Sequence, residues 1–444
     1  MGNYQGYQKY KYSGVEWLGD IPKHWKVKRL KNVASCNDEA LGENTAPDYE
    51  IEYVDISSVD LVSGIRHYEN MTFEKAPSRA RRKVQNGDTI ISTVRTYLKS
   101  IAAIKEPPIN LIVSTGFAVI RPKININSDY IGYLLQSEGF IGKVVSNSVG
   151  VSYPAINSSV LISLPVVEPP LDEQEKIAQF LDYKTKQIDE LIKKKETLIE
   201  KFDEKRTALI SHAVTKGLDP SVPMKDSGID WLGEIPKHWT ILKLGRLCDV
   251  TKLTGFEYTK KWQTDPNGEI IALRGFNIKN NQLILNDVEK ITSELSNELL
   301  RSKLYAGDIV FPCTGTLGEG AIINENNKYH INQNIAKISP VKNIDRKFLL
   351  LCLCSKNMKY QIELYNSSGL QPVLLIGTIR SLIISIPDFL EQKQIADYLD
   401  KKTAQIDQQK AKIKQAIELL KEYRTSLITN AVTGKIDVRQ FSIP

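Results

Sequence analysis

Basic and aromatic residues occur in clusters that are suited to contact with a nucleic acid. In the first half of the chain, one cluster precedes a strand-like segment, and a second follows it in a loop rich in Ser and Thr. Lys and Arg contact phosphates without reading sequence, whereas Arg, Asn, Gln and Thr on positioned loops contact base edges. The predicted contact residues of this half are Arg79, Arg81, Arg82, Lys83, Arg95, Tyr97 and Lys99.

The second half has comparable residues at corresponding positions. Lys260 and Lys261 adjoin an aromatic residue, Trp262, and the remaining predicted contacts are Arg274, Arg301, Lys303, Thr314 and Thr316. The alternative is that each cluster is an ordinary solvated surface, and for any single residue that alternative stays open. The prediction therefore concerns the loops as groups of residues.

Sequence signatures of catalysis are missing. The chain has no Walker-type phosphate loop, no G-x-S-x-G, no H-E-x-x-H and no G-x-G-x-x-G after a strand. His24 and His238 recur in both halves, but no second ligand or acid lies at a spacing useful for catalysis or metal binding. Asp388 and Glu391 are better explained as a helix N-cap and its capping-box partner than as nuclease ligands. We expect neither a catalytic set nor a metal site.

These clusters lie inside a duplicated framework. The motif SGxxWLGxIPKHW opens each half, at residues 13–25 and 227–239, with an offset of 214. A long helical segment closes each half, at residues 173–217 and 391–434, with an offset of 218. The interiors between them alternate strand-like and helical segments. The strand-like segments of the first half are residues 51–56, 89–92, 117–120 and 160–164, and those of the second half are residues 270–273, 309–311, 335–338 and 382–386. A shared framework with unlike loops indicates one architecture with two different targets.

The closing segments are predicted to be helices of roughly 40 residues, hence about 60 Å long. Their apolar residues follow steps of three and four, and such a stripe needs a partner helix. The predicted seam is Ile177, Leu181, Ile188, Leu191, Leu198, Phe202 and Leu209 in the first helix, and Ile395, Leu399, Ile406, Ile413, Leu420 and Leu427 in the second. Two unrelated core helices are the alternative, but near-copies favour a paired coiled coil.

Composition sets broader limits. The net charge of +7 and five scattered cysteines are typical of a mildly basic protein in a reducing compartment. The first residues do not form a signal peptide, and no apolar run reaches the ~20 residues needed to span a bilayer. We expect a cytoplasmic protein.

Together, these motifs resemble the DNA-specificity subunit of type I restriction–modification systems. The resemblance is carried by the two opening motifs, by Gly87-Asp88 and Gly307-Asp308, and by EQxxIAxxLDxKTxQID through RTxLIxxAVT in both helices. It extends over nearly the whole chain. One departure is PCTGTLGEG at residues 312–320, where many members of the family have an Arg before Thr-Gly. A direct contact from that Arg is not expected here.

The resemblance implies a division of labour. Each interior would be a target-recognition domain for one half of a split, asymmetric DNA site. The paired helices would set the distance between half-sites and would dock two methyltransferase subunits. Those subunits would bring S-adenosylmethionine and methylate adenine, and a motor–nuclease subunit would add cleavage. This chain itself would bind no cofactor and would not be an enzyme.

The expected fold is therefore two mixed α/β (α+β) recognition domains separated by a pair of long antiparallel coiled-coil helices, in a pseudo-twofold internal repeat. The predicted boundaries are 1–168 and 218–388 for the recognition domains, 169–217 for the first helix, and 389–444 for the second helix and tail. The leading alternative is a scaffold whose two domains bind proteins instead of DNA. An autonomous nuclease or methyltransferase is a third possibility.

Overall fold

The computed structural model describes residues 4–315, 317–365 and 373–442. The chain divides into two compact units. Unit 1 comprises the residues up to Lys195 together with those from Lys414 onward, and unit 2 comprises Glu196–Ile413. Each long helix contributes residues to both units, because a unit boundary falls within it.

Unit 1 is built on two sheets. An antiparallel sheet has the strand order Ile101–Ala103, Thr89–Ser92, Phe117–Pro122 and Ala34–Cys36. A mixed sheet has the order Glu69–Thr72, Glu50–Val54, Leu111–Ser114 and Ala80–Lys83, with its middle pair parallel. Short strand pairs are Tyr10–Tyr12 with Asp20–Pro22, Lys26–Arg29 with Pro165–Glu168, and Val59–Asp60 with Gly64–Ile65.

Unit 2 repeats this topology, except that its mixed sheet has three strands instead of four in the described part of the chain. Its antiparallel sheet has the order Cys248–Lys252, Ile335–Pro340, Ile309–Pro312 and Ala321–Ile322, and its mixed sheet has the order Glu289–Ile291, Ile270–Leu273 and Tyr329–Ile331. The short pairs are Met224–Asp226 with Glu234–Pro236, Thr240–Lys243 with Ile383–Ile386, and Ile278–Lys279 with Gln282–Leu283. The shared strand order confirms the prediction of a duplicated mixed α/β framework.

Short helices connect the strands. In unit 1 they are Leu30–Val33, Ser128–Leu135, Glu138–Ser146 and Ser158–Leu161, with 3-10 turns at Ile56–Ser58, Phe73–Lys75 and Thr96–Leu98. In unit 2 they are Gly255–Lys261, Ser293–Glu298, Arg346–Leu353, Lys356–Tyr365 and Ile376–Ser381, with 3-10 turns at Leu244–Arg246 and Gly275–Asn277.

The long helices extend over Leu171–Lys216 and Phe389–Val432. Asp388 accepts a hydrogen bond from the Glu391 amide at 2.9 Å, which confirms the predicted N-cap. Gly217 follows the first helix with φ of 77°, a left-handed residue that ends many helices. Among the described residues, the structure contains no helix of the length and apolar character required to cross a membrane.

The long helices pair antiparallel within each unit. In unit 2, Lys410 forms an ion pair with Asp203, and Arg206 Nε lies 3.9 Å from Asp407 Oδ1. Later residues of the first helix therefore face earlier residues of the second. In unit 1, Arg424 pairs with Asp189.

Burial along the helices follows most of the predicted seam. The buried members are Ile177, Leu181, Ile188, Ile395, Leu399, Ile406 and Leu427, and the half-buried members are Phe202, Leu209, Ile413 and Leu420. Leu191 and Leu198 are each 43% exposed, so their assignment to the seam is corrected. Leu191 and Leu198 lie two and three heptads after Ile177. Because seven residues of an α-helix turn about 20° less than two full turns, these leucines are rotated away from the face that Ile177 occupies. Ile192 is buried beside them instead.

One strand prediction was wrong. Residues 160–164, expected as a strand, include the end of helix Ser158–Leu161, and the strand follows at Pro165–Glu168. Asn157 caps this helix by accepting a hydrogen bond from the Ser159 amide at 3.0 Å. Pro165 stands first in its strand, a position that tolerates proline.

Candidate nucleic-acid interface

The first basic cluster of unit 1 lies on a strand at the end of the mixed sheet. Arg79, just before strand Ala80–Lys83, donates hydrogen bonds to Asp55 and, at 3.2 Å, to the Tyr53 hydroxyl. The Arg81 guanidinium lies 4.4 Å from the ring centre of Phe73. The Asp55 carboxylate therefore offsets the charge of Arg79 in this cluster.

The other residues of that cluster differ in exposure. Lys83 is exposed at the end of the strand. Arg82 is only partly accessible, and its Nε is buried without a hydrogen-bond partner in the described structure. Lys83 is thus available to a phosphate, whereas Arg82 is partly enclosed by the sheet.

The second cluster of unit 1 surrounds the 3-10 turn Thr96–Leu98. Arg95 and Lys99 bracket this turn, and both are left-handed, with φ of 52° and 56°. Arg95, Tyr97 and Lys99 are exposed. The structure thus brings the three predicted residues of this cluster together on one short, solvent-facing turn.

A second loop, residues 148–155, lies against this turn. The Arg95 amide donates to the Pro154 carbonyl at 2.8 Å, and the Thr96 and Ser148 hydroxyls are 2.7 Å apart. The Arg95 guanidinium lies 4.4 Å from the ring centre of Tyr153. This loop was not predicted from the sequence, since it contains no basic residue that would mark it as a nucleic-acid contact.

In unit 2, the predicted aromatic contact residue has a packing role. Trp262 packs against the cluster formed by Ile270, Ala272 and Ile291. Its ring centre is 6.0 Å from that of Tyr258, in a stacked arrangement. Trp262 is therefore occupied in the packing of its domain and is not a free platform for a base.

The basic residues near Trp262 differ in their charge partners. Lys261 forms an ion pair with Glu298, while Lys260 is exposed. Arg301 is exposed, and its carbonyl accepts a hydrogen bond from Thr251. Lys303 donates to Asn297 Oδ1 at 2.7 Å.

Arg274 is held by acidic neighbours. It donates to Glu289 at 2.9 Å and lies 3.3 Å from Asp287. Its guanidinium is also 4.1 Å from the ring centre of Phe276. Thr314 forms an isolated bridge with Val373, and Thr316 lies outside the described residues.

Comparison with known proteins identifies the duplicated unit. The family described as "Type I restriction modification DNA specificity domain" matches residues 22–201 and 236–419, which is most of the chain. The chain belongs to this family. Both matched segments begin at the end of an opening motif and finish within a long helix, so each specificity domain is one half of the internal repeat.

A relative that aligns over nearly its whole length is also described as a type I specificity subunit. The type I restriction enzyme MjaIX specificity subunit of Methanocaldococcus jannaschii is 24% identical over 432 residues, which cover 95% of this chain and 96% of the relative. A solved chain described under "Structural basis underlying complex assembly and conformational transition of the type I R-M system" is 21% identical, with a TM-score of 0.70 over 93% of this chain and 98% of its own. The HsdS subunit from Thermoanaerobacter tengcongensis is 23% identical, with a TM-score of 0.51 over 94% and 98%. These structures share the fold.

In each specificity domain, the Gly-Asp turn leads into the strand that precedes the loop with Arg95 or Gly315, and the Asp side chain is held by hydrogen bonds. In the first domain, Arg121 donates two hydrogen bonds to buried Asp88, at 2.9 and 3.0 Å, and this contact raises the pKa of Arg121. In the second, Asp308 accepts from Ser339 at 2.6 Å, and Lys337 lies 3.4 Å away. The turn is therefore retained while the cation that stabilises it changes.

The two opening histidines have acidic partners that sequence spacing did not reveal. His24 Nε2 lies 2.6 Å from Glu173 Oε1, and the Trp25 indole donates to Glu173 Oε2 at 2.9 Å. In the second domain, His238 lies 2.7 Å from Glu391. Sequence spacing could not reveal these contacts, because each glutamate is about 150 residues away from its histidine in sequence. Here the glutamates attach the opening motifs to the long helices.

Proposed function

We propose that this chain reads a bipartite, asymmetric DNA site and determines which sequence a type I restriction–modification complex acts on. The first specificity domain contacts one half-site and the second contacts the other. The catalytic steps belong to partner subunits: methyltransferase subunits that carry S-adenosylmethionine and methylate adenine, and motor–nuclease subunits that cleave.

The observation that carries this proposal is one framework with two different contact surfaces. Both domains share strand order and the Gly-Asp turn. At the same framework position, 220 residues apart, the first has exposed Arg95 and the second has Gly315. Two surfaces that differ at matched positions contact different base sequences, because base readout depends on the side chains that a loop presents.

A domain exchange tests the assignment. Residues 30–164 are replaced by those of another specificity domain, which preserves the strand pair Lys26–Arg29 with Pro165–Glu168. The hybrid is assembled with its methyltransferase subunits, and methylated adenines are mapped across a random DNA library. We expect one half-site to change and the other to be retained.

The matched control replaces residues 244–382, between the strands Thr240–Lys243 and Ile383–Ile386. It should change the other half-site alone. If either exchange altered both half-sites, the assignment of one domain to one half-site would be wrong.

The main competing function is a scaffold whose two domains bind proteins. DNA affinity of the assembled complex, measured across a range of salt concentrations, distinguishes the two. Phosphate contacts release counterions, so DNA affinity should fall steeply and linearly on a log–log plot as salt rises. A complex without measurable DNA binding at low salt would favour the scaffold.

Partner docking is supported by apolar residues on the long helices. Leu191, Leu198 and Leu419 are exposed on helices whose other faces are buried. An exposed apolar stripe on a long helix is suited to another helix. We assign these leucines to contact with methyltransferase subunits.

A further inference from the structure

Arg95 adopts a backbone conformation that is unfavourable for its residue type. Its φ of 52° and ψ of 48° lie in the left-handed region, which is sterically unfavourable for a residue with a Cβ atom. At the corresponding position of the second domain, the left-handed residue is Gly315, with φ of 74°. The first domain thus places an arginine where its own repeat places a glycine, and such an outlier motivates a functional explanation.

The surrounding contacts hold Arg95 in place. Besides the hydrogen bond from its amide to Pro154, its carbonyl accepts from the Leu98 amide at 2.9 Å. The Ile156 amide donates to the Thr93 carbonyl at 2.9 Å, which joins the two loops on the other side of Arg95. The side chain therefore projects from a backbone that is bonded to both loops.

The guanidinium of Arg95 is oriented but has no acidic partner among the residues that the structure describes. It stacks 4.4 Å from the ring centre of Tyr153. No side-chain hydrogen bond or ion pair of Arg95 occurs within the described ranges. Arg274 offers a contrast, since it also stacks on an aromatic ring but is neutralised by Glu289 and Asp287. Arg95 is thus oriented on one face, with hydrogen-bond donors still available.

The surface around Arg95 favours DNA over a protein partner. Residues 92–100 and 147–156 contain Arg95 and Lys99 but no Asp or Glu. Val149, Val151 and Tyr153 are exposed, and Val151 is fully so. Positive charge complements phosphates, and apolar side chains contact thymine methyl groups in the major groove.

We propose that Arg95, oriented by Tyr153, contacts the edge of a guanine in the half-site of the first specificity domain. Arginine donates two parallel hydrogen bonds to guanine O6 and N7 from a planar, rigid fork, whereas the lysine ammonium is a flexible point donor without that fixed geometry. Tyr153 acts as a positioning residue by keeping the guanidinium plane fixed. The second domain, with Gly315, reads its half-site through other residues. This inference rests on the proposed function and names the side chain that carries it.

The decisive variant is Arg95→Gly, because it relieves the backbone strain while it removes the side chain. The full chain is assembled with its methyltransferase subunits, and methylation is mapped over a random library together with DNA affinity and thermal melting. We expect an equal or higher melting temperature and a loss of preference at one base pair of one half-site. Affinity for the specific site should fall roughly 5- to 150-fold, the range for one bidentate contact. A loss of specificity without a loss of stability excludes misfolding as the cause.

Further variants separate reading from positioning and from charge. Arg95→Lys should weaken the guanine preference while most of the non-specific affinity remains, because lysine keeps the charge but loses the planar fork. Tyr153→Ala should weaken the preference more than Tyr153→Phe, which keeps the ring. Lys99→Ala should weaken binding equally on all sequences. Ile109→Ser is the control, because Ile109 is exposed at the end of strand Leu111–Ser114 that is far from Arg95. The opposite end of that strand leads to Gly116, which contacts Thr93 beside Arg95.

Two results would overturn the inference. One is an Arg95→Gly complex that methylates the same sites, at the same relative rates, as the unmodified complex. The other is a variant that no longer assembles with methyltransferase subunits, which would make the surface a protein interface. A failure of the proposed function is distinguishable, because then the unmodified complex would itself show no preference at either half-site.

Discussion

Arg424 donates a hydrogen bond from Nε to Oδ1 of Asp189 at 3.0 Å, and this pair joins the two long helices within unit 1. The repeat generates the same pair in unit 2, where Arg206 faces Asp407 at 3.9 Å. Arg206 and Arg424 are 218 residues apart, and so are Asp189 and Asp407. One charge pair therefore recurs at matching positions of the two units, but with different geometry and exposure.

That difference predicts unequal contributions to stability. The Arg424 side chain is 9% exposed, whereas that of Arg206 is 26% exposed and its partner Asp407 is 58% exposed. Arg424→Ala should lower the free energy of unfolding by about 2 kcal/mol, because it leaves Asp189 without its partner. Arg206→Ala, the matched control, should cost less than about 1 kcal/mol. Urea unfolding measures both, and equal losses would contradict the ranking.

The attachment of each opening motif to its long helix gives a second prediction. Glu173 accepts hydrogen bonds from Trp25 at 2.9 Å and from the Tyr7 hydroxyl at 3.0 Å, and burial with this carboxylate raises the pKa of Tyr7. Glu173→Ala should cost about 3 kcal/mol of unfolding free energy, because two buried donors lose their acceptor. Glu391→Ala removes the matching contact.

Glu391 provides an internal comparison. It is more exposed than Glu173, and Trp239 donates to it at a longer distance of 3.2 Å. We expect a loss of about 1 kcal/mol for Glu391→Ala. Calorimetry of both variants tests the ranking. A greater loss at Glu391 would show that the first opening motif is held mainly by other contacts.

Features set by local spacing were predictable from the sequence. Strands Thr89–Ser92 and Ile270–Leu273 occur at the predicted residues, because short apolar runs were bounded by Gly-Asp or polar turns. The strand prediction for residues 160–164 was wrong, because an apolar run of this length fits either a strand or a helix. The Asn157 side chain caps a helix there instead. The assignment of Leu191 and Leu198 to the seam was wrong because positions seven residues apart drift gradually around an α-helix.

Features that depend on distant residues were not predictable. Nothing in the local sequence joins His24 to Glu173, or Arg95 to Tyr153, because folding alone brings these pairs together. Likewise, the basic clusters did not reveal their own acidic partners. Asp55 offsets Arg79, and Glu289 offsets Arg274. Sequence spacing showed which loops carry basic residues, but not which of those residues have acidic partners in the folded chain.

The exposed leucines of the long helices predict where partner subunits dock. Leu419 is 57% exposed, and Leu191 is also exposed in the same unit. Leu419→Lys and Leu191→Lys should each reduce co-purification with methyltransferase subunits at least tenfold, since a charge would be buried at the interface. Melting of the isolated chain should change little, because both sites are already in water. Leu285→Lys, at an exposed leucine outside the long helices, should leave assembly intact.

The long helices are further proposed to set the distance between half-sites. Four residues added to each helix lengthen it by about 6 Å. The insertions fall between Asp189 and Asp203 in the first helix and between Lys410 and Arg424 in the second, so that the ion pairs on either side are retained. Since successive base pairs are 3.4 Å apart, the preferred gap should grow by about one or two base pairs. Methylation mapping measures this gap directly.

The control for helix length adds the same four residues to the first helix alone. That insertion should shift the charge pairs out of register and destabilise the helix pair, because the second helix keeps its original length. An unchanged gap in the double insertion, with both half-site sequences still methylated, would mean that the helices do not act as a ruler. A longer gap with both half-site sequences unchanged would separate distance from base reading, since the insertions leave the recognition loops untouched.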